Sequence, residues 1–297
     1  MRFAFIAQHR AIWQTQQMCE TLGVSRAGFY EWLGRPESDR AKANRELLAV
    51  IRDSFAQSDQ TYGSPRVWRD LIAWGYRCSE NRVARLMLAA GLKARLKRRR
   101  LPGDTGVRPE NSIAPNVLDR QFVATAPNQR WVADFTYIWT DEDWLYFAAV
   151  LDLYSRRIVG WSMSHDMTAQ LVTDALIMAI WRRGRPRELL VHSDQGSQYT
   201  SERYQALLSE FGITCSMSRR GDVWDNSAME SFFSSLKTER TTRSRYRTRN
   251  QARADVFDYV ERFYNVRRRH STIGYVSPTE FESIDVTPIF RRYLELE

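Results

Sequence analysis

Apolar residues recur at helical spacing through the first third of the chain, then switch to strand alternation. Residues 11–33 read as helix, turn, helix: a polar helix near Thr15–Leu22, a break at Gly23-Val24, and Ser25 capping Arg26–Leu33. A glycine turn between two short helices fits a helix-turn-helix unit and equally an ordinary helical hairpin. Ala43, Leu47, Val50, Ile51 and Phe55 mark a strong helix over 41–58. Thr61–Arg66 turns into a helix through Val67, Leu71 and Ile72, which Gly75-Tyr76 ends. Ser79 then caps a further helix, Glu80–Ala90, closed by Gly91, and so completes a second small helical unit.

Residues 101–128 hold four prolines, two glycines and no periodicity, the signature of a linker. Beyond it Trp131–Trp139, Trp144–Leu153 and Arg156–Ser164 read as three strands in meander order. Thr168 is expected to cap an amphipathic helix, Ala169–Arg182, ending at Gly184. A short strand at Glu188–His192, a helix at Ser201–Phe211 and a strand at Ile213–Met217 follow. Asp225 or Asn226 is expected to cap a helix from Ser227 to about Arg240, and a last helix spans roughly Asn250–Tyr264. That order predicts an α/β core with a mixed sheet, antiparallel first and then parallel. The expected segments are helical units at 1–38 and 39–100, a linker at 101–124, the core at 125–245 and a helical, basic extension at 246–297.

Charge changes the picture of the first part. The 297 residues carry 44 Lys and Arg against 35 Asp and Glu, a net +9. Residues 1–120 contain 21 basic and 12 acidic residues, and the remainder is balanced, so the surplus sits wholly in the helical modules. Six of the nine residues in Leu92–Arg100 are basic, including Lys97, Arg98, Arg99 and Arg100. Cations placed on phosphates release counterions and give salt-sensitive, sequence-blind affinity, so DNA contact is expected there. Cys19, Cys78 and Cys215 lie far apart with no CxxC, which argues against a disulfide framework or thiolate zinc site. No run approaches 18 apolar residues, so a signal peptide or membrane span is not expected, and a cytoplasmic location is.

Three acids carry the candidate chemistry. Asp134 lies mid-strand in Trp131-Val132-Ala133-Asp134-Phe135-Thr136, where a carboxylate is costly to bury unless paired or metal-bound. Asp194 follows a short strand, at the end where α/β sheets bind ligands. Glu230 sits in the first turns of its helix, on the face that also carries Ser234 and Lys237. Three converging carboxylates repel one another without a cation. Two magnesium ions would resolve this and clamp a phosphoryl centre, and oxygen donors suit magnesium better than zinc. Taken singly, each acid also fits a structural role as a satisfied strand acid or helix-dipole partner.

Asp134 and Asp194 are separated by 59 residues and Asp194 and Glu230 by 35, which resembles the D,D(35)E signature of retroviral-type integrases and insertion-sequence transposases. Lys237 matches that family's basic position near the cut DNA. The strings Trp131–Tyr137, His192–Tyr199, Gly221–Glu230 and Tyr264–His270 narrow the likeness. So do Met18-Cys19, Leu22–Arg26 with Tyr30, and Tyr62–Arg66 in the first half. Together they resemble the second-frame (orfB) transposase of the insertion sequence three family, over nearly the whole chain. The resemblance implies a ribonuclease H-like core over about 125–240, cleavage that frees a 3′ hydroxyl, and strand transfer. It implies magnesium, with Mn2+ as a substitute, bound by Asp134, Asp194 and Glu230, and a bacterial, nucleoid-associated setting. Its members are often made as a frameshift fusion to an upstream helix-turn-helix and coiled-coil protein. No coiled-coil heptads follow Met1, so terminal-repeat recognition is expected to involve that partner. Joining two ends implies at least a dimer on DNA. Unlike the retroviral relatives, the chain has no His/Cys module at its start, so structural zinc is not expected.

Other residues remain open between two roles. His192 either orients a metal-bound water or phosphate from behind the acids, or is a plain strand-end histidine. Trp224 stacks on a displaced base or packs its turn. Gly196 lets the loop after Asp194 bend, with Gln195, Ser197 and Gln198 in reach of DNA. Asn226 stands behind the acids or caps the helix, and Arg267, Arg268, Arg269 and His270 hold phosphates or a second protomer. Two competing functions stay in view: a ribonuclease H-like nuclease that only hydrolyses, and a catalytically silent DNA-binding regulator.

Overall fold

The computed structural model describes residues 1–94, 113–219 and 223–284. They form two compact units, Met1–Asp53 and Ser54–Glu297. In the first, α1 (Arg2–His9), α2 (Thr15–Thr21) and α3 (Arg26–Gly34) enclose Ile6, Met18, Cys19 and Phe29. Ser25 caps α3 by accepting a hydrogen bond from the Gly28 amide at 3.0 Å.

The second unit takes in the end of α4 (Asp39–Gln57), then α5 (Ser64–Ala73) and α6 (Glu80–Ala89). Ser79 caps α6 through the Arg82 amide. The expected helix pair is therefore present. It is tied to the C-terminal segment, where the Tyr62 hydroxyl donates to the Arg267 carbonyl at 3.0 Å and Arg269 meets Asp70 at 2.6 Å.

The core sheet has the order β3-β2-β1-β4-β5. β1 (Arg130–Thr140), β2 (Asp143–Asp152) and β3 (Ile158–Ser164) form the antiparallel meander. β4 (Leu190–Ser193) and β5 (Thr214–Met217) add in parallel beyond β1. The mixed sheet is the one the alternation predicted. Strand alternation sends Trp131 and Ala133 toward a layer made by α7 (Ala169–Arg182) and α8 (Glu202–Glu210), where they join Ala148, Val150, Leu176 and Tyr204 in one buried cluster. It sends Val132 and Asp134 to the other face. That face is covered by α9 (Ser227–Glu239), whose Phe232 and Phe233 rings pack within 6.3 Å and 6.1 Å of Phe147 on β2.

Two caps differ from expectation. Thr168 and Asn226 stand at the N-cap positions of α7 and α9, but neither side chain bonds the helix amides. The helix expected over Asn250–Tyr264 is α10 (Arg249–Asp258), capped by Thr248, and it continues as a π turn over Tyr259–Tyr264. After the turn, Asn265 pairs with both backbone groups of Ile158, at 2.9 Å and 3.0 Å, in the manner of a sheet partner. Within the stretch read as a linker, Leu118 is buried, and the Val117 and Leu118 amides both donate to Ser216 Oγ on β5 at 3.0 Å. A short helix, α11 (Pro278–Ser283), carries a capping box of Ser277 and Glu280. Among the described residues no helix is long and apolar enough to cross a membrane.

Candidate active site

Register brings the first two acids together. β1 and β4 pair with Arg130 opposite Leu190 and Val132 opposite His192, an offset of sixty. Continuing it puts Asp194, just past the end of β4, across from Asp134 in the middle of β1. Each carboxylate is fixed by backbone: the Phe135 amide donates to Asp134 Oδ1 and the Gly196 amide to Asp194 Oδ1, both at 2.8 Å. A Cβ on Gly196 would lie 2.9 Å from the same oxygen, so any larger residue there would push the Asp194 carboxylate aside. Glu230 is exposed in the first turn of α9, over the face that carries Asp134. Lys237, two turns on, holds its ammonium 4.9 Å from the Tyr137 ring centre, within cation–π range.

Burial pushes the Asp134 carboxyl well above the usual range, and the charges of Asp194 and then Glu230 push it further. The Phe135 amide and Lys237 pull the other way. Three acids and one lysine therefore share one field. Asn226 donates to the Ala133 carbonyl at 3.3 Å and keeps a buried Oδ1 with no hydrogen-bond partner among the described residues. Among those residues, no three His, Cys, Asp or Glu side chains are drawn close enough to enclose an ion as they stand. The donor set still fits a hard divalent cation: the three acids offer carboxylate oxygens only, and Asn226, bonded to the Ala133 carbonyl, adds an orphaned amide oxygen.

Several expected site residues sit elsewhere. His192 is fully buried between Ser216 Oγ at 2.8 Å and Ser218 Oγ at 3.1 Å. Burial depresses its pKa to about 4 despite the opposing charge of Asp225, so it stays neutral at pH 7 and orients no phosphate by charge. Gln198 and Gln195 are buried, bonded to the carbonyls of Met167 and Ser218, whereas Ser197 is on the surface. Arg268 is 5% exposed and grips Glu239 with Nε and Nη2, so it is spent on an internal ion pair rather than offered to DNA. Arg267 remains exposed and His270 is buried. Trp224 is 66% exposed. Lys97, Arg98, Arg99 and Arg100 lie outside the described residues.

One cluster had no signal in the sequence. Asp225 is fully buried and accepts from Arg120, Asn116 and both the side chain and amide of Arg219, at 2.8–3.1 Å. Burial alone would raise its pKa, but the Arg219 and Arg120 hydrogen bonds hold it well below the usual carboxylate range. The cluster anchors the turn that leads into Glu230, so Asp225 positions the helix without capping it.

His192 makes stability depend on pH. Its ordinary value is 6.5 and its folded value about 4, so between those limits the unfolded chain takes up a proton that the folded chain refuses. The stabilisation is complete above pH 6.5 and is lost as pH falls through about 4. Two and a half pKa units correspond to about 3 kcal/mol. Urea unfolding at pH 7, 5.5 and 4 is expected to show that loss in the native chain and a much shallower one in His192→Gln. Parallel slopes in the two proteins would rule it out.

Comparison with known proteins gives the class. Family models described as Integrase core domain match residues 124–223 and 211–278, and one described as HTH-like domain matches 42–100. These define a transposase with an integrase-type catalytic core behind a DNA-binding helical module. Transposase InsF for insertion sequence IS3A of Escherichia coli is 43% identical over 286 residues, which cover 95% of this chain and 99% of that protein. The insertion element IS600 uncharacterized 31 kDa protein of Shigella sonnei is 39% identical over 264 residues, 89% of this chain and 97% of that one. The chain belongs to the IS3 family of InsF transposases. Among solved structures, the HTLV-2 integrase catalytic core domain in complex with magnesium aligns with a TM-score of 0.40 at 16% identity, over 54% of this chain and 99% of that one. A simian T-cell lymphotropic virus intasome aligns with a TM-score of 0.45 at 14% identity, over 69% and 67%. Membership of that transposase family, with its integrase core, makes the chain a DNA-cutting and DNA-joining enzyme.

Proposed function

We propose that Asp134, Asp194 and Glu230 are the catalytic acids and hold two Mg2+ ions, replaceable by Mn2+, where β4 ends beside the middle of β1. The observation that supports this is the common field of the three acids, with Asp134 raised by its own burial and by the other two. A divalent pair there supplies charge compensation at a phosphodiester and favours ionisation of the attacking water or hydroxyl. The chain's own groups do the rest. The Phe135 and Gly196 amides fix the two aspartates, and α9 carries Glu230 on a rigid support. Lys237 steadies a phosphate beside the cut and Trp224 stacks on an unpaired base. Asn226 braces the site through the Ala133 carbonyl.

In the first step water attacks a phosphodiester at the element's end and the 3′ oxygen leaves as a hydroxyl. In the second, that hydroxyl attacks a target phosphodiester, forming one P–O bond as another breaks. Two ends joined together require at least two copies of the chain on the DNA. Terminal-repeat recognition draws on the helical modules and on the basic run with Lys97–Arg100, with an upstream-frame helix-turn-helix protein as partner or fusion. The chemistry takes place on the bacterial nucleoid in the cytoplasm.

The test uses terminal-repeat duplexes, uncut and with a pre-cut 3′ end, in magnesium. Asp194→Asn is expected to abolish both cleavage and joining while DNA binding persists. Undiminished cleavage would remove Asp194 from the site. Cleavage without joining in the native chain would favour a hydrolytic nuclease instead.

A further inference from the structure

A second flank of α9, about 100° round the helix from Glu230, lines a cavity of about 480 Å³. Its wall on α9 carries the hydroxyls of Ser231, Ser234, Ser235 and Thr238 beside the Phe232 ring. Facing them are three guanidiniums from distant parts of the chain: Arg66 at the start of α5, Arg156 in the β2–β3 turn and Arg268 after the π turn. Only Arg268 has a close carboxylate, Glu239, and that acid also accepts from Tyr259 at 2.7 Å. Arg66 lies over the Tyr62 ring, and Arg156 donates to the Phe122 carbonyl at 3.3 Å. Among the described residues neither has an acid within ion-pair distance. One carboxylate thus faces three cations. We infer that this cavity is an anion site that takes a phosphate group on Arg156 and Arg66, with the α9 hydroxyls as further donors.

The surroundings agree with that assignment. Loss of solvent lowers the pKa of both Arg66 and Arg156; the charge of Glu239 offsets part of that cost for Arg66, whereas Arg156 has only Tyr264 against it. His270, on the same wall, is depressed by burial and then by the charges of Arg268, Arg66 and Arg156, so all three cations act on one point. Guanidiniums present forked donors suited to phosphate oxygens. Ser271 and Thr272 are exposed at the rim, giving the cavity an open side. The phosphate is either a DNA backbone phosphodiester or a free ion, and the two share this chemistry. Ser227 and Ser234, a turn either side of Glu230, also line the cavity, but none of the three acids does, and phosphate binding there does not depend on their assignment.

The experiment titrates the full chain with inorganic phosphate at constant ionic strength and reads the thermal midpoint, alongside short-duplex binding at several salt concentrations. Phosphate is expected to raise the midpoint of the native protein and of Asp194→Asn alike. Half-saturation should rise at least tenfold in Arg156→Gln and in Thr272→Glu, which sets an acid at the rim. Without phosphate, Arg156→Gln should melt at or above the native temperature, because an unpaired desolvated cation has been removed. A salt slope for duplex binding about one unit shallower in Arg156→Gln identifies the DNA backbone as the source. An unchanged slope with the phosphate response lost in the variants identifies a free anion, and the site stands in either case. No phosphate response in the native chain together with an unchanged slope overturns the inference. So does a lowered phosphate-free midpoint in Arg156→Gln with the phosphate response intact.

Discussion

Replacing Asp134 by Asn is expected to cost at least about a hundredfold in cleavage while making the metal-free protein harder to melt. The activity loss has its floor in what removal of one fixed electrostatic group at a reacting centre costs. The gain in stability follows from the fold. A carboxyl whose folded pKa is raised contributes stability only below its unfolded value, and that contribution is lost as pH rises through the folded value. Above the ordinary carboxyl range, then, the metal-free fold must either take up a proton at Asp134 or hold its charge against Asp194 and Glu230, and either destabilises it. An asparagine keeps an Oδ1 to accept from the Phe135 amide and removes the charge. Thermal melts in EDTA should place Asp134→Asn above the native chain. Adding magnesium should raise the native midpoint, because a ligand bound only by the folded state stabilises it, and should raise the variant much less. A lower midpoint for Asp134→Asn in EDTA would mean the carboxylate is structural.

That opposition between local strain and function explains which parts of the protein were legible in its sequence. Period-two and period-3.6 patterns report which face of an element is buried, so the meander, the parallel additions and α7–α9 could be read directly. Asp134 was visible for the opposite reason, as an acid breaking an apolar strand. The 59-residue spacing gained meaning from the register, because an offset of sixty between β1 and β4 sets Asp194 across from Asp134. What could not be read were partnerships made only in three dimensions. Arg120 lies in a stretch with linker composition, yet it reaches Asp225 across 105 positions. Arg268 sits in a run of three arginines that looks solvated, but the π turn buries it against Glu239. Asn226 has the residue type of a cap and instead spends its amide on the Ala133 carbonyl.

Gly160→Ala should be the most damaging small substitution away from the acids, and nothing in the local pattern of β3 marks it. Gly160 is buried opposite Val150, at the point where β3 meets α7. A Cβ added there would lie 2.2 Å from the Ala175 carbonyl oxygen, 2.6 Å from the Ala179 amide nitrogen and 2.7 Å from the Ala179 Cβ. The first two are helix backbone, which no rotamer change can move, so relief requires lifting α7 off the sheet. Lifting it opens the cluster of Ala148, Val150, Leu176 and Ala179 that the close approach of helix and strand creates. Overpacking a core costs about 1–3 kcal/mol where side chains give way. With backbone in the way the loss should reach about 3 kcal/mol or more, a fall of roughly 10 °C in Tm for a unit of this size. Gly34→Ala is the matched control, because a Cβ at that helix end meets nothing within 4 Å, and alanine there should be neutral or slightly stabilising. Thermal and urea unfolding of the two variants check the pair. A Gly160→Ala protein that melts within about 2 °C of the native chain would mean that α7 can yield, and that the small-residue seam between β3 and α7 is not what sets its distance from the sheet.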